Sequence, residues 1–245
     1  MKNKFGIIFY YKLIFIYIFS FHFHSILGQN TTKQRTNKIF AVSLDPSASQ
    51  IICALNKEHS IVGVHKNATS PSVLAKKRIA GSIRFPSKEA IDRFKPNVLF
   101  LSSKCVTPVD KLKKESHIII QNDIRSISDI FESIRIIGRL YNCDSIASQL
   151  IDSLNNTLNI INKNLNILKE KDRKNVVNCV GFSNRNVFIA NEKTLSYDIL
   201  NAAGALPLKR REKESIIRIP YEEFIELNPD VIILRKSDSW ISDSL

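Results

Sequence analysis

The stretch from Asp144 to Lys171 holds neither Gly nor Pro, and a 28-residue tract free of both can run as one unbroken helix. Ile146, Leu150, Leu154, Leu158, Ile161, Leu165 and Leu168 recur in it every three or four positions, which lines them along one side. At about 1.5 Å per residue such a helix reaches roughly 40 Å, the width of a whole domain, so it can join two parts of a molecule. Strand-like, turn-rich sequence flanks the tract on both sides. The expected organisation is an α/β lobe at 39–142, an inter-lobe helix at 143–172 and a second α/β lobe at 173–245.

One pattern occurs once on each side of that helix. The chain reads PSKEAIDRFKPNVLFLS from Pro86 and IPYEEFIELNPDVIILR from Ile219. A shift of 133 positions superimposes Glu89 on Glu222, Ile91 on Phe224, Phe94 on Leu227, Pro96 on Pro229, Val98 on Val231 and Leu101 on Leu234. Each copy has a small residue or Pro two places before a Glu, then a short amphipathic helix, a Pro that stops it and a continuous apolar run. Runs such as VLFL and VIIL suit strands buried on both faces, as in a mainly parallel sheet flanked by helices.

Between these landmarks the reading is coarser. Strands are expected at 39–44, 61–64, 118–120, 176–180 and 187–190. Helices are expected from Ser47 or Ser49 to Leu55, near 72–77, at 109–114, at 126–140 and at 194–203, the last stopped by Gly204. Gly181 to Asn186 reads as a loop.

A chain of 245 residues with 44% hydrophobic content can bury one large core or two modest ones. Lys2 and Lys4 precede an aromatic and aliphatic run from Leu13 to Leu27, the pattern of a secretory signal peptide over 1–28, cleaved near Gly28 or retained as a membrane anchor. No Cys lies in that segment, so lipid attachment is not supported. Removing Lys2, Lys4 and Lys12 lowers the net charge from +13 to +10. The basic residues are spread through helices and turns as a solvated face, and export argues against nucleic acid as a partner. Cys53, Cys105, Cys143 and Cys179 form no CxxC pair, and Cys53 and Cys179 sit in apolar runs, as buried free thiols do. His59, His65 and His117 lack metal-ligand spacing, so no dedicated metal site is expected.

The sequence has no GxSxG, GxxxxGK[ST], GxGxxG or HExxH, and no enzymatic activity or cofactor is expected. It offers instead polar loops after apolar strands, where open α/β sheets take their ligands. The candidate ligand-binding residues on them are Pro46, Ser47, His65, Lys66, Ser82, Ile83, Arg84, Phe85, Ser102, Ser103, Phe182, Asn184, Arg185 and Arg235.

The succession AVSLDPSASQIICAL, HSIVGV, RIAGS, KEAIDRFKPNVLFLS, SISDIFESIRIIGRL, the long helix, TLSYDILNAAGA and PYEEFIELNPDVIIL resembles the class III periplasmic binding proteins over Ile39 to Leu234. These are the solute-binding components of ABC importers for ferric siderophores, haem and cobalamin. The resemblance implies two α/β lobes joined by a rigid helix, with a small metal-chelate ligand held in the cleft between them. It also implies an exported, periplasmic monomer that delivers this ligand to an importer's membrane permease. One exposed Glu per lobe meets Arg residues of that permease, and the motif match places the pair at Glu89 and Glu222. The resemblance further implies more elements after the NPDVIIL strand, so the second lobe is expected to be truncated. The loop after RIAG carries Ser82 and Ile83 where haem-binding relatives often place a Tyr, so haem ligation there is not supported. The alternative reading is a membrane-tethered surface or scaffold protein with a degenerate binding cleft.

Overall fold

A computed structural model describes residues 38–112, 118–167, 169–212 and 214–234. The expected signal or anchor at 1–28, together with Arg235, lies outside them. The chain divides into two compact units. Of the described residues, the first holds those up to Asp123 and Ser128–Asp152, and the second holds Ile124–Ile127 and those from Ser153 to Leu234.

In the first unit, β1 (Ala41–Ser43), β2 (Ile61–Val64), β3 (Val98–Ser102) and β4 (Ile118–Asn122) form one sheet in the order β2-β1-β3-β4. All three pairings are parallel. Parallel neighbours need crossovers, and short helices supply them: α1 (Pro46–Ala54), α2 (Lys88–Phe94) and α3 (Val109–Leu112). β3 is central and every one of its residues is buried, as its unbroken apolar run predicts. Leu99 and Leu101 of β3 pack with Val42, Leu44, Ala80, Ile91 and Leu112.

The first helix begins earlier than the sequence reading placed it. Its cap is Asp45, whose Oδ1 accepts from the Ala48 amide at 2.6 Å, and not Ser47 or Ser49. Pro46 explains the offset: its fixed φ and missing N–H suit the first helical position, which makes the residue before it the cap. Ser49 turns inward instead and donates to Ser43 Oγ at 2.7 Å.

After α4 (Ile127–Leu140) comes α5 (Asp144–Leu165), a single helix of 22 residues and about 33 Å that carries the chain from the first unit into the second. It stops short of the expected Lys171. Asn162, Asn164 and Asn166 are poor helix formers placed where little packs on the helix, and a weak turn from Ile167 to Asn164 at 3.4 Å closes it. Of the apolar stripe, Leu154, Leu158, Ile161 and Leu165 are half-buried and Ile146 is exposed, while Ala147 and Ile151 are the residues α5 buries.

The second unit contains β5 (Asn175–Ser183), β6 (Asn186–Ala190), α6 (Leu195–Ala202), β7 (Leu206–Pro207), β8 (Ile216–Pro220), α7 (Tyr221–Glu226) and β9 (Val231–Leu234). β7 and β9 run parallel to β5, whereas β6 pairs antiparallel with both β5 and β8. Gly204 ends α6 as expected, with φ at 82° and Leu165 packed where a Cβ would stand. The expected loop at 181–186 is a hairpin. β5 continues to Ser183, and Asn184 and Arg185, with φ of 48° and 59°, form a two-residue turn into β6. Both residues take the left-handed conformation that lets such a turn match the twist of its strands.

The four cysteines carry free thiols; Cys143 and Cys179 are buried, whereas Cys53 and Cys105 are half-buried. Burial pushes Cys179 up to about 12 and Cys53 up to about 11, which keeps both thiols protonated and unreactive.

The repeat superimposes Leu99 of β3 on Ile232 of β9, and the two environments differ. Leu99 is fully buried, whereas Ile232 is 40% exposed and its strand pairs with β5 alone among the described residues. Leu99→Ala is therefore expected to cost about 2–5 kcal/mol of stability and Ile232→Ala less than about 1 kcal/mol. Urea unfolding of the two variants checks this contrast.

Candidate functional site

Every crossover in the first unit's parallel sheet leaves a strand at the same edge. Pro46 and Ser47 follow β1, His65 and Lys66 follow β2, and Ser102 and Ser103 lie at the end of β3, so one edge gathers all six. The loop Ser82–Phe85 is tied to that edge from both sides. The Lys66 amide donates to Gly81 O at 2.9 Å and the Val106 amide donates to Arg84 O at 3.0 Å.

The loop itself is a tight closure. The Ser82 amide donates to Phe85 O at 2.9 Å, and the Phe85 amide donates to Ser82 Oγ at 3.0 Å. Gly81 makes this possible: φ is 123°, and a Cβ there would stand 2.5 Å from Ser87 N and 2.8 Å from Phe85 O. The result holds Arg84 and Phe85 out in solvent. Phe85 is 62% exposed, and the Arg84 guanidinium lies 5.8 Å from its ring centroid. An aromatic face with a cation beside it suits a ligand that combines an apolar ring with an anionic group. Ile83 is half-buried at the loop's base.

Two of the expected contact residues turn inward. His65 is 5% exposed rather than solvated on its loop, and burial lowers its pKa, so the imidazole is neutral. Its Nδ1 has no hydrogen-bond partner among the described residues. Ser102 is buried, and its Oγ accepts from the Lys104 amide at 3.3 Å, which shapes the loop instead of facing solvent.

The same edge holds two polar residues that the sequence reading passed over. Asp45 and Asn122 are both buried, at the ends of β1 and β4. Burial raises the Asp45 pKa, against the lowering effects of the Ala48 amide, the Asn122 side chain, the Ser47 amide and the Lys104 charge. Asn122 stands beside the Asp45 carboxyl without a hydrogen bond of ordinary geometry, and its Nδ2 is left unpartnered among the described residues. The dipeptide Asp45-Pro46 was the available signal for the cap, but nothing in the sequence says that Asn122 arrives beside it.

In the second unit the expected contact residues lie on the β5–β6 hairpin. Phe182 is paired with Val187 in the ladder and stands edge-on to Tyr221, with ring centroids 6.4 Å apart at 69°. Asn184 and Arg185 form the exposed tip, and Arg185 Nη2 donates to Glu222 at 2.9 Å. The structure thus brings Arg185 to the glutamate expected to dock. Nearby in sequence, a recess of about 480 Å³ is lined by Lys209, Arg210, Arg211 and Glu212. The fully buried Asn191 shapes this segment: its side-chain amide donates to the carbonyls of Arg210, Glu212 and Glu214.

Glu89 and Glu222 occupy the same place in their units. Ser87 caps α2 and Pro220 precedes α7, so each Glu is the second residue of its helix, where the helix dipole favours a carboxylate. Their side chains are 84% and 64% exposed. Each has one Arg against it: Arg93 to Glu89 at 2.8 Å along the same helix, and Arg185 to Glu222 at 2.9 Å from the hairpin tip.

A family model described as periplasmic binding protein matches residues 41–244. An uncharacterized ABC transporter substrate-binding lipoprotein of Bacillus subtilis is 26% identical over 223 residues, which span 86% of this chain and 70% of the relative. Among solved structures, a periplasmic haem-binding protein of Vibrio cholerae aligns with a TM-score of 0.69 and 20% identity, over 80% of this chain and 76% of that one. A periplasmic vitamin B12-binding protein of Vibrio cholerae aligns at 0.66 and 13%, over 78% and 74% of the two chains. A possible iron-binding protein of Staphylococcus epidermidis aligns at 0.67 and 21%, over 80% and 77%. At these identities the structural matches carry the fold alone.

Asp45 makes a pH-dependent contribution of definite sign. Its folded pKa lies above the value of 3.8 for the free group, so the stability it contributes is complete below that value and is lost as pH rises through the folded pKa. Asp45→Asn keeps a good helix cap and removes the buried charge. The variant is expected to gain stability over the natural protein as pH rises above 3.8, measured by urea unfolding at increasing pH.

Proposed function

This chain belongs to the periplasmic binding protein family, and from that premise we propose that it is an exported solute-binding protein of the class III kind. It captures an iron complex, either a siderophore or haem, or cobalamin, and delivers it to an ABC importer. The observation that carries this reading is the equivalence of Glu89 and Glu222, two exposed carboxylates at one helix position in two units built on the same repeat. A pair so placed suits recognition of two cations on a membrane permease. The relative from Bacillus subtilis, named as an ABC transporter substrate-binding lipoprotein, supports the same role.

The ligand contacts proposed for the first unit are the backbone and side chains of Pro46, Ser47, Lys66, Ser82, Ile83, Arg84, Phe85 and Ser103, with Arg84 and Phe85 as the principal pair. His65 and Ser102 act from beneath, by holding the shape of the edge. In the second unit the proposed contacts are Phe182 and Asn184 on the hairpin, with Arg185 shared between the ligand side and Glu222.

Titration of the purified chain with haem, ferric siderophores and cobalamin, followed by intrinsic tyrosine and tryptophan fluorescence, is expected to give saturable binding at micromolar concentration or below to one of the three classes, on the order of −8 kcal/mol. No response to any of them overturns the reading. Arg84→Ala with Phe85→Ala is expected to weaken the ligand that binds by about tenfold or more. Glu89→Ala and Glu222→Ala are expected to lower delivery to the importer while leaving ligand affinity unchanged, and a loss of affinity in both removes the docking role.

A further inference from the structure

The two docking helices match in position but not in what surrounds their glutamates. The 133-residue shift places Lys88 on Tyr221 and Asp92 on Ile225, the residues one turn apart that flank each Glu. On α2 this flank is an ion pair, Lys88 Nζ to Asp92 at 2.7 Å. On α7 it is apolar: Tyr221 is 38% exposed and Ile225 74% exposed.

We propose, resting on the solute-delivery reading above, that Tyr221 and Ile225 form the apolar half of a docking surface for the importer's membrane subunit. The partner site presents a cation to Glu222 from within an apolar surround, whereas the site that meets Glu89 is polar. The two helices are then not interchangeable, and the flank on α7 fixes which unit meets which part of the permease.

Three observations carry this. The helix packs without Ile225, because Phe224 and Leu227 are the α7-side residues that reach the second unit's core of Val177, Cys179, Val187, Ile189, Ile217 and Ile219. Ile225 and Tyr221 together place an apolar pair beside the exposed Glu222, the mixture of apolar centre and charged rim that interfaces use. Tyr221 is held ready: Phe182 stands edge-on to its ring and the Tyr221 amide donates to Arg185 O at 3.0 Å. A rigid aromatic of this kind loses little freedom on binding. The charge is complementary to a cationic partner as well. α7 carries Glu222, Glu223 and Glu226 and no basic residue; Arg185 and Arg210 reach Glu222 and Glu223 from outside the helix, which leaves it a net acidic face in a chain whose net charge is +13. A basic protein that presents an acidic and apolar helix is shaped to meet a basic and apolar surface.

The experiment uses the full chain with its importer in proteoliposomes, and reads the concentration of binding protein that half-maximally stimulates ATP hydrolysis. Ile225→Ser is expected to raise that concentration about tenfold, the change that follows from withdrawing one aliphatic side chain from an apolar contact. Asp92→Ser, at the matching position of α2, is expected to change it less than about threefold, as for an exposed ion pair. Both sites are on the surface, and unchanged thermal unfolding and ligand affinity confirm that each variant is folded. If Ile225→Ser matches the natural chain while Glu222→Ala loses stimulation, the apolar flank is overturned and the delivery reading stands. If Glu89→Ala and Glu222→Ala both stimulate normally, the delivery reading falls and this proposal with it. Two further results overturn the flank on their own: self-association in sedimentation that Ile225→Ser abolishes, which makes the surface a contact between copies, or Ile225-dependent binding to protein-free phosphatidylethanolamine and phosphatidylglycerol vesicles, which makes it a lipid contact.

Discussion

In a parallel sheet the chain always leaves a strand at one edge and must return to the other before the next strand begins. That constraint organises the first unit. It puts the starts of α1 and α2 and the polar turns after β1, β2 and β3 along one edge, and it leaves the opposite edge to the returning connections. Glu89, the Arg84–Phe85 pair and the buried Asp45–Asn122 pair lie on this edge because each stands at or after the C-terminal end of a strand. None of this needs a special sequence signal at the site. It needs only strands apolar enough to be covered on both faces, which β3 supplies with five buried residues in succession.

The buried polar residues along this edge show the cost of that arrangement. Leu44 and Leu101 continue the core up to the rim, and Asp45, His65 and Asn122 at that rim are buried and lose most of their water. Asp45 recovers some of the loss by capping α1, a bond in which a carboxylate accepts from a helix's first free amides. His65 Nδ1 and Asn122 Nδ2 have no hydrogen-bond partner of ordinary geometry among the described residues. An unpaired buried polar group destabilises by roughly 1–3 kcal/mol, so this edge is less stable than a fully packed one would be. Binding surfaces are commonly drawn from such regions.

Those parts of the fold that rest on periodicity were legible in the sequence. The helix running from Asp144, the two copies of the helix-Pro-strand repeat, the buried β3 and the Gly204 stop follow from apolar spacing and from the two residues that punctuate it, Pro and Gly. What was not legible depends on partners far away in sequence. Gly181 to Asn186 has the composition of a loop, and it becomes a hairpin because Val187 to Ala190 finds β8 on its other side. His65 lies in a polar run, and its burial is decided by the segment from Arg78 to Gly81 folding back over β2, with the Val64 amide donating to Arg78 O and the Ala80 amide to Val64 O. The end of α5 was overshot because the apolar stripe continues past Leu165, whereas the asparagines beneath it find no neighbours to repay their poor propensity. For the candidate site, the loops could be read as loops, but which side chains face out could not. Phe85 and Ser102 are both flanked by polar and apolar residues, yet one projects and the other is enclosed.

The hairpin tip sets the backbone of the second unit against its side chain. Arg185 holds φ at 59°, a conformation that crowds the Cβ of any ordinary residue and that glycine would adopt at ease. Glycine at that position would relax the turn and leave Glu222 without its counter-ion. The turn and the ion pair therefore ask for different residues at position 185.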